Sequence, residues 1–283
     1  KQGVRNALYT LELMGLPQVP VHAGCAAPLH RPLETAQHVH GVDGMGDIGL
    51  PEPSTAAASA EAVDALLTAS RSAPGELTLV TLGPLTNIAT ALRRDAGVLA
   101  RFKRVFLMAG AADGVGNVSP AGEYNVWADP EAARLVLAAE ADLTFIGWDV
   151  SRRRAVLAPE EQARLGSMPT PYAAFMQGIN RCVDEWARSY SGLDGYDLPD
   201  PIAMAVALRP HLATRTLDTH VAVCVEEPAR GMLLVDRRHR PLRSNASVVV
   251  DVDEAEFKEM LFAVAGRPGL PGTPLPAALA GGR

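Results

Sequence analysis

Three short apolar runs constrain this chain more than any other feature, because helical segments alternate with them. The runs are "ELTLVTLG" (Glu76–Gly83), "RVFLMAG" (Arg104–Gly110) and "ADLTFIGWD" (Ala141–Asp149). "PLTNIATALRRD" follows the first. A segment opening on Asp129, Pro130 and Glu131 separates the second from the third, and it offers an N-cap, a first-turn proline and a first-turn acid. A strand that is apolar at nearly every position is buried on both faces. Strands joined through helices run parallel. The predicted fold is therefore α/β, with a largely parallel central sheet flanked by helices.

The rest of the chain is read around that sheet. Val4, Ala7, Leu8, Leu11 and Met14 have amphipathic helical spacing and no cap residue before them. The chain thus reads as starting inside a helix, with an upstream piece absent. "QVPVHAG" (Gln18–Gly24) predicts a short buried strand, and "STAAASAEAVDALLTASRS" a helix capped by Ser54 or Thr55. Pro159 to Tyr190 reads as helical, "GLDGYDLP" as a turn-rich loop and "DPIAMAVALRP" as a helix. Three small strands follow ("HVAVCVEE", "GMLLVD", "ASVVVDV"), and "DEAEFKEMLFAVAG" closes the fold as a helix. Neither a repeat nor a linker divides the chain. Residues 1–266 form one predicted domain lacking its first strand, and the Pro-, Gly- and Ala-rich stretch 267–283 a disordered tail.

Composition excludes several function classes. The net charge is −6 and the basic residues are scattered, which argues against a nucleic-acid surface. Arg152–Arg154 reads as a solvated strand end. No apolar run has the length of a membrane span. Cys25, Cys182 and Cys224 lie far apart, and an odd, unspaced set predicts buried thiols in a reducing, cytoplasmic compartment rather than disulfides or zinc.

Ligands of open parallel sheets bind beyond the carboxyl ends of the strands. Unusual residues stand there: Leu82-Gly83-Pro84, the stretch from Met108 to Asn125, and Asp149, with the Gly-rich loop His38–Asp47 expected to join them. The most specific stretch is "GNVSPAGEYNVWADPEAA" (Gly116–Ala133). Either Asn117 or Asn125 alone is a turn former. Both together with Glu123 point to a site. Amides donate and accept, a carboxylate accepts from O–H, and Glu123 repels phosphate, so the set suits a neutral polyol such as a sugar. Gly110, Gly114 and Gly116 lack dinucleotide-binding spacing. Asp200 reads equally well as a helix cap and as a functional carboxylate. Met108 is core by default, and His40, Asp43 and Asp47 are loop residues.

"VTLGPLTNIATAL", "VFLMAGA", "GNVSPAGEYNVWADPEAA" and "PDPIAMAVAL", with the loop "HGVDGMGD", stand in the order seen in the inosine–uridine-preferring nucleoside hydrolases. The chain resembles that family from about Gln2 to Gly266. The resemblance implies a nucleoside-hydrolase-like, Rossmann-like open sheet. It also implies hydrolysis of the N-glycosidic bond of ribonucleosides to ribose and free base, with a Ca²⁺-bound water as nucleophile. By resemblance, Asn117, Glu123 and Asn125 hold ribose hydroxyls, Met108 lies under the sugar and His40 sits near the pocket. The Leu82 carbonyl and the Asp200 carboxylate match calcium ligands. A homodimer or homotetramer is the implied assembly.

Two departures from the family matter. Its Asp-rich opening motif, which supplies most of the calcium carboxylates and the general base, is not in this sequence, so no catalytic base is assigned. An exposed sheet edge is then expected, along with marginal stability or an oligomer that covers it. The alternative reading is a catalytically inactive chain that binds ribose or nucleoside. Second, Pro199 stands where inosine–uridine members often carry the His that helps the base to leave. Trp186, just upstream, either stacks on a base or packs its helix, and the sequence leaves both open.

Overall fold

Alternation within the strands sets the layers. In the computed structural model, which describes residues 1–269, Val105 and Leu107 face one side of the sheet while Phe106 and Met108 face the other. The five-stranded sheet has the order β1 (Thr78–Thr81), β2 (Arg104–Met108), β3 (Leu143–Ile146), β9 (Ala246–Val252), β6 (Ala213–Thr219). β1, β2, β3 and β9 are mutually parallel, and β6 pairs antiparallel to β9. Leu107, Leu143, Phe145, Ile146, Val248 and Val249 are all fully buried, as double-sided cover requires. Burying each contributes roughly 1.5–3 kcal/mol.

One face carries α3 (Ala62–Ser72), α4 (Thr86–Arg94) and α6 (Pro130–Leu137). The other is covered by α7 (Trp148–Arg154), α8 (Pro159–Gly166), α10 (Arg181–Trp186), α11 (Pro199–Leu208) and α12 (Glu254–Ala265). α1 (Gln2–Leu13) and α9 (Pro171–Ile179) form a small separate cluster through Tyr9, Leu13, Tyr172 and Phe175. Short elements fill the connections: α2 (Gln37–His40), α5 (Tyr124–Ala128), the pair β4 (Val156–Leu157) and β5 (Tyr196–Asp197), and the hairpin β7 (Val221–Val223) with β8 (Leu233–Val235). No described helix is long and apolar enough to cross a membrane.

Several expectations need correction. Gln18–Gly24 is not a buried strand. Gln18–Pro20 is exposed, and one isolated bridge joins His22 to Ser59. Pro20 has no N–H to extend the pairing. Neither Ser54 nor Thr55 caps α3, which begins eight and seven residues later; both hydroxyls and both amides are taken by the Glu12 carboxylate instead. The run Arg152–Arg154 is the last turn of α7, not a strand end, where positive charge suits the helix dipole. Those arginines pair with Asp113, Asp149 and Asp251. The three cysteines are free, but none is buried. β6 was not anticipated, because "ATRTLDT" has the polar, charged character of an edge strand. The expected tail lies, from residue 270 onward, outside the described residues.

Candidate functional site

The loop after β2 is shaped by a glycine and a carboxylate. Gly110 has φ +71°, and a Cβ there would stand 2.1 Å from Leu233 Cδ1, so only glycine fits. Its N–H donates to Glu123 Oε2 at 2.6 Å, and its carbonyl accepts from Trp148 N at 2.8 Å. Glu123 is also the N-cap of α5, accepting from Asn125 N at 2.9 Å and Val126 N at 3.4 Å. Backbone N–H groups therefore fix the carboxylate from two directions. It is 2% exposed. Burial, reinforced by Asp200, outweighs those hydrogen bonds and pushes its pKa up to about 7.

The two carboxamides are held just as firmly, with opposite polarity. Asn117 Oδ1 accepts from Tyr124 N at 2.9 Å, which directs its NH₂ elsewhere. Asn125 spends its NH₂ on Met108, donating to the carbonyl at 3.0 Å and to Sδ at 3.1 Å, which leaves Oδ1 as a spare acceptor. Asp129 stabilises the next turn. Fully buried, it caps α6 through Ala132 N (3.1 Å) and accepts from Thr86 Oγ1 (2.7 Å) and Leu29 N (2.9 Å).

A cavity of about 410 Å³ opens over these residues. Asn117, Glu123, Asn125, Met108, His40, Trp186, Asp200 and Leu82 all line it, so the eight positions singled out in the sequence meet in one place. Asp200 stands in the first turn of α11, and no side-chain hydrogen bond to its carboxylate occurs among the described residues. Burial and the neighbouring Asp197 raise its pKa to about 7. His40, at the end of α2, is exposed, and desolvation by the wall around it together with His38 lowers its pKa, which favours the neutral imidazole. Trp186 both lines the cavity and stacks on Tyr190, with ring centroids 5.2 Å apart, at the start of a π-helical turn (Ala187–Ser191).

Asp149 does not join the site. Its carboxylate turns back to Ala112 N (2.9 Å) and Arg153 (3.0 Å). Asp43 and Asp47 bind each other's backbone amides and shape the loop. Sequence reasoning missed Tyr124, Trp148, His38 and Asn180 as lining residues. Tyr124 lies inside the Asn–Glu–Asn motif and His38 inside "HVHG", so position alone marked them. Trp148 and Asn180 carried no local signal.

The profile of the inosine-uridine preferring nucleoside hydrolases matches residues 1–259. The chain belongs to that family. Among similar proteins, the pyrimidine-specific ribonucleoside hydrolase RihA of Shewanella woodyi is 35% identical over 260 residues, covering 91% of this chain and 83% of that protein. A purine-preferring ribonucleoside hydrolase from Gardnerella vaginalis superposes with TM-score 0.85 at 31% identity, covering 94% of this chain and 86% of that one. A plant nucleoside hydrolase gives TM-score 0.86 at 28% identity, with the same coverage. This nucleoside hydrolase family member thus resembles both a pyrimidine-specific and a purine-preferring protein.

Its donor set is hard oxygen, which suits calcium in kind. Asp200, whose carboxylate has no hydrogen-bond partner among the described residues, and Leu82 both stand in the cavity wall. No group of three or more His, Cys, Asp or Glu residues placed to hold a metal occurs among the described residues. Calcium takes about six to eight oxygens, so these two residues would fill only a small part of its shell.

Proposed function

We propose that this chain hydrolyses the N-glycosidic bond of ribonucleosides, giving ribose and free base, with the sugar gripped by Asn117, Glu123 and Asn125. The observation that carries the reading is the polarity of the trio. A spare NH₂ on Asn117, a spare carbonyl on Asn125 and a fixed carboxylate on Glu123 complement hydroxyls that both donate and accept. Breaking the bond builds positive charge on the ribose ring. The Glu123 carboxylate, held by backbone amides in a low-dielectric cavity, stabilises that charge without reorganising. Met108 gives the sugar an apolar floor.

Calcium is the proposed metal; Asp200 and the Leu82 carbonyl would hold it, and it would supply a more acidic water as nucleophile. Because Pro199 has no proton to give, the departing base depends on other cavity groups. Neutral His40 is a hydrogen-bond donor available to it, and Trp186 a stacking face.

A second reading is ribose or nucleoside binding without catalysis, favoured by the shortage of metal ligands among the described residues. One experiment separates the two. Ribose release is measured from inosine, adenosine, uridine and cytidine, with added Ca²⁺ and with chelator. Calcium-dependent release supports hydrolysis, and the ranking of the four nucleosides gives base preference. Absence of release, with calorimetric binding that disappears in Glu123→Ala, supports the second reading. Neither release nor binding refutes both.

A further inference from the structure

We propose that Arg230 is a positioning residue that fastens the cavity wall formed by residues 34–40 to the helix carrying the ribose grip. This rests on reading the cavity as the nucleoside site. The wall needs fastening. Ala36, His38, Val39 and His40 line the cavity, yet the segment holds only one helical turn and joins no sheet.

Arg230 reaches both sides of the gap. It sits in the loop between β7 and β8, and it is buried at 7% exposure. Its Nε donates to the Trp127 carbonyl at 2.9 Å, and its guanidinium lies 3.8 Å from the centre of the Trp127 ring. Trp127 is two residues beyond Asn125 on α5. In the other direction Nη1 meets Glu34 Oε1 at 3.4 Å. The Tyr124 hydroxyl donates to the Glu34 carbonyl at 2.7 Å, so wall and grip are joined at two neighbouring points. A planar fork that stacks and donates in several directions suits this task, whereas a lysine ammonium does not.

The arginine's own anchor is rigid. A Cβ on Gly122 would stand 2.6 Å from the Arg230 carbonyl, and one on Gly231, at φ +80°, would stand 2.6 Å from Trp127 Cα. The loop therefore packs backbone to backbone on the Asn–Glu–Asn segment. A further strut, Arg31 to Glu131 (2.7 Å) and to the Val225 carbonyl (2.5 Å), holds the chain leading into the wall to α6 and to the same loop. Removing the guanidinium loosens the wall, which keeps the Tyr124 and Arg31 contacts, while Glu123 and Asn125 retain their own partners and Asp200 its place. The loss should therefore fall on substrate binding rather than on the bond-breaking step.

The test compares Arg230→Gln, Glu34→Gln and the double variant with wild type and with Arg238→Gln, an exposed pair to Asp236 away from the cavity. Two readouts are taken: steady-state kinetics on the best ribonucleoside, and amide hydrogen exchange at His40 and Gly41, whose N–H groups bond Ala36 and Gln37 carbonyls. Arg230→Gln should raise KM about tenfold with kcat within about threefold, the scale of one lost charged hydrogen bond. Exchange at residues 40 and 41 should quicken about tenfold, and the double variant should be no worse than Arg230→Gln alone. Unchanged exchange overturns the proposal whatever the activity. A lowered Tm or kcat with KM unchanged also overturns it, because that is the signature of a purely structural arginine. If the wild type releases ribose from no nucleoside, the functional reading fails, and the exchange result still decides the role of Arg230.

Discussion

Glu123→Gln separates the observed task of that side chain, holding the loop, from the proposed one, stabilising charge on the sugar. The carboxylate takes Gly110 N–H on one oxygen and Asn125 N–H on the other. Glutamine has one oxygen, so one of those amides faces an NH₂ and loses its acceptor. A lost hydrogen bond to a charged group costs about 1.5–3 kcal/mol. Burial opposes that cost. Burial raises the Glu123 pKa from its ordinary 4.5 to about 7, so keeping it ionised above neutrality costs ~3 kcal/mol, and glutamine is free of that cost. That pKa already includes the pull of the backbone hydrogen bonds, so the lost bond adds no separate cost against it, and at pH 8 Tm should hold or rise by a few degrees. Catalysis has no such compensation. Removing preorganised negative charge from beside the developing cation should lower kcat/KM about 10²–10³-fold. The assay is ribose release at pH 8 beside a thermal melt of the same samples. A kcat/KM within about threefold of wild type would mean the carboxylate does not face the sugar. A collapse in Tm would mean that its role is the helix cap.

Other consequences follow from the same geometry. Chelator-treated wild type should lose stability as pH rises from about 4.5 to about 7, because the native state holds the Glu123 proton through that window while the unfolded chain has released it. Asp200, raised over a similar window, contributes a comparable share, so Glu123→Gln should remove roughly half of that slope, which chemical denaturation at a series of pH values reads directly. Asp129→Ala removes a cap and two further hydrogen bonds from a fully buried carboxylate, and should cost about 3–5 kcal/mol by urea unfolding. Gly110→Ala forces a left-handed alanine into Leu233 and should cost about 2–5 kcal/mol, with loss of activity because Glu123 loses its partner's position.

The core strands were legible in the sequence because burial on both faces leaves no choice of residue type. "RVFLM" and "LTFI" are strands wherever their neighbours place them. β6 was not legible, because its one-sided exposure lets polar residues stand in it. Its place beside β9 is set by a pairing with a segment some thirty residues distant. Ser54 and Thr55 carried the correct chemistry for a helix cap and a different partner, since Glu12 reaches them from another helix. Asp149 misled for the same reason: a strand-end carboxylate faces the site or turns away from it according to which amide and which arginine stand beside it.

By itself the sequence determined the layer architecture and marked the Asn–Glu–Asn segment as the candidate grip. Apolar periodicity is a local consequence of burial, and the Asn–Glu–Asn spacing is a local consequence of one loop feeding one helix. The tertiary structure alone decided the polarity with which these residues face the cavity, and which unmarked residues join them there. Asn117 and Asn125 differ in role because one spends its carbonyl on Tyr124 N and the other its NH₂ on Met108. It also decided that Asp200, more than seventy residues beyond the trio, stands close enough to help raise the Glu123 pKa. It placed Arg230, about a hundred residues beyond, between Trp127 and Glu34. Such long-range proximity is the product of packing two helical layers on one sheet, and nothing in the sequence near any one of these residues records it.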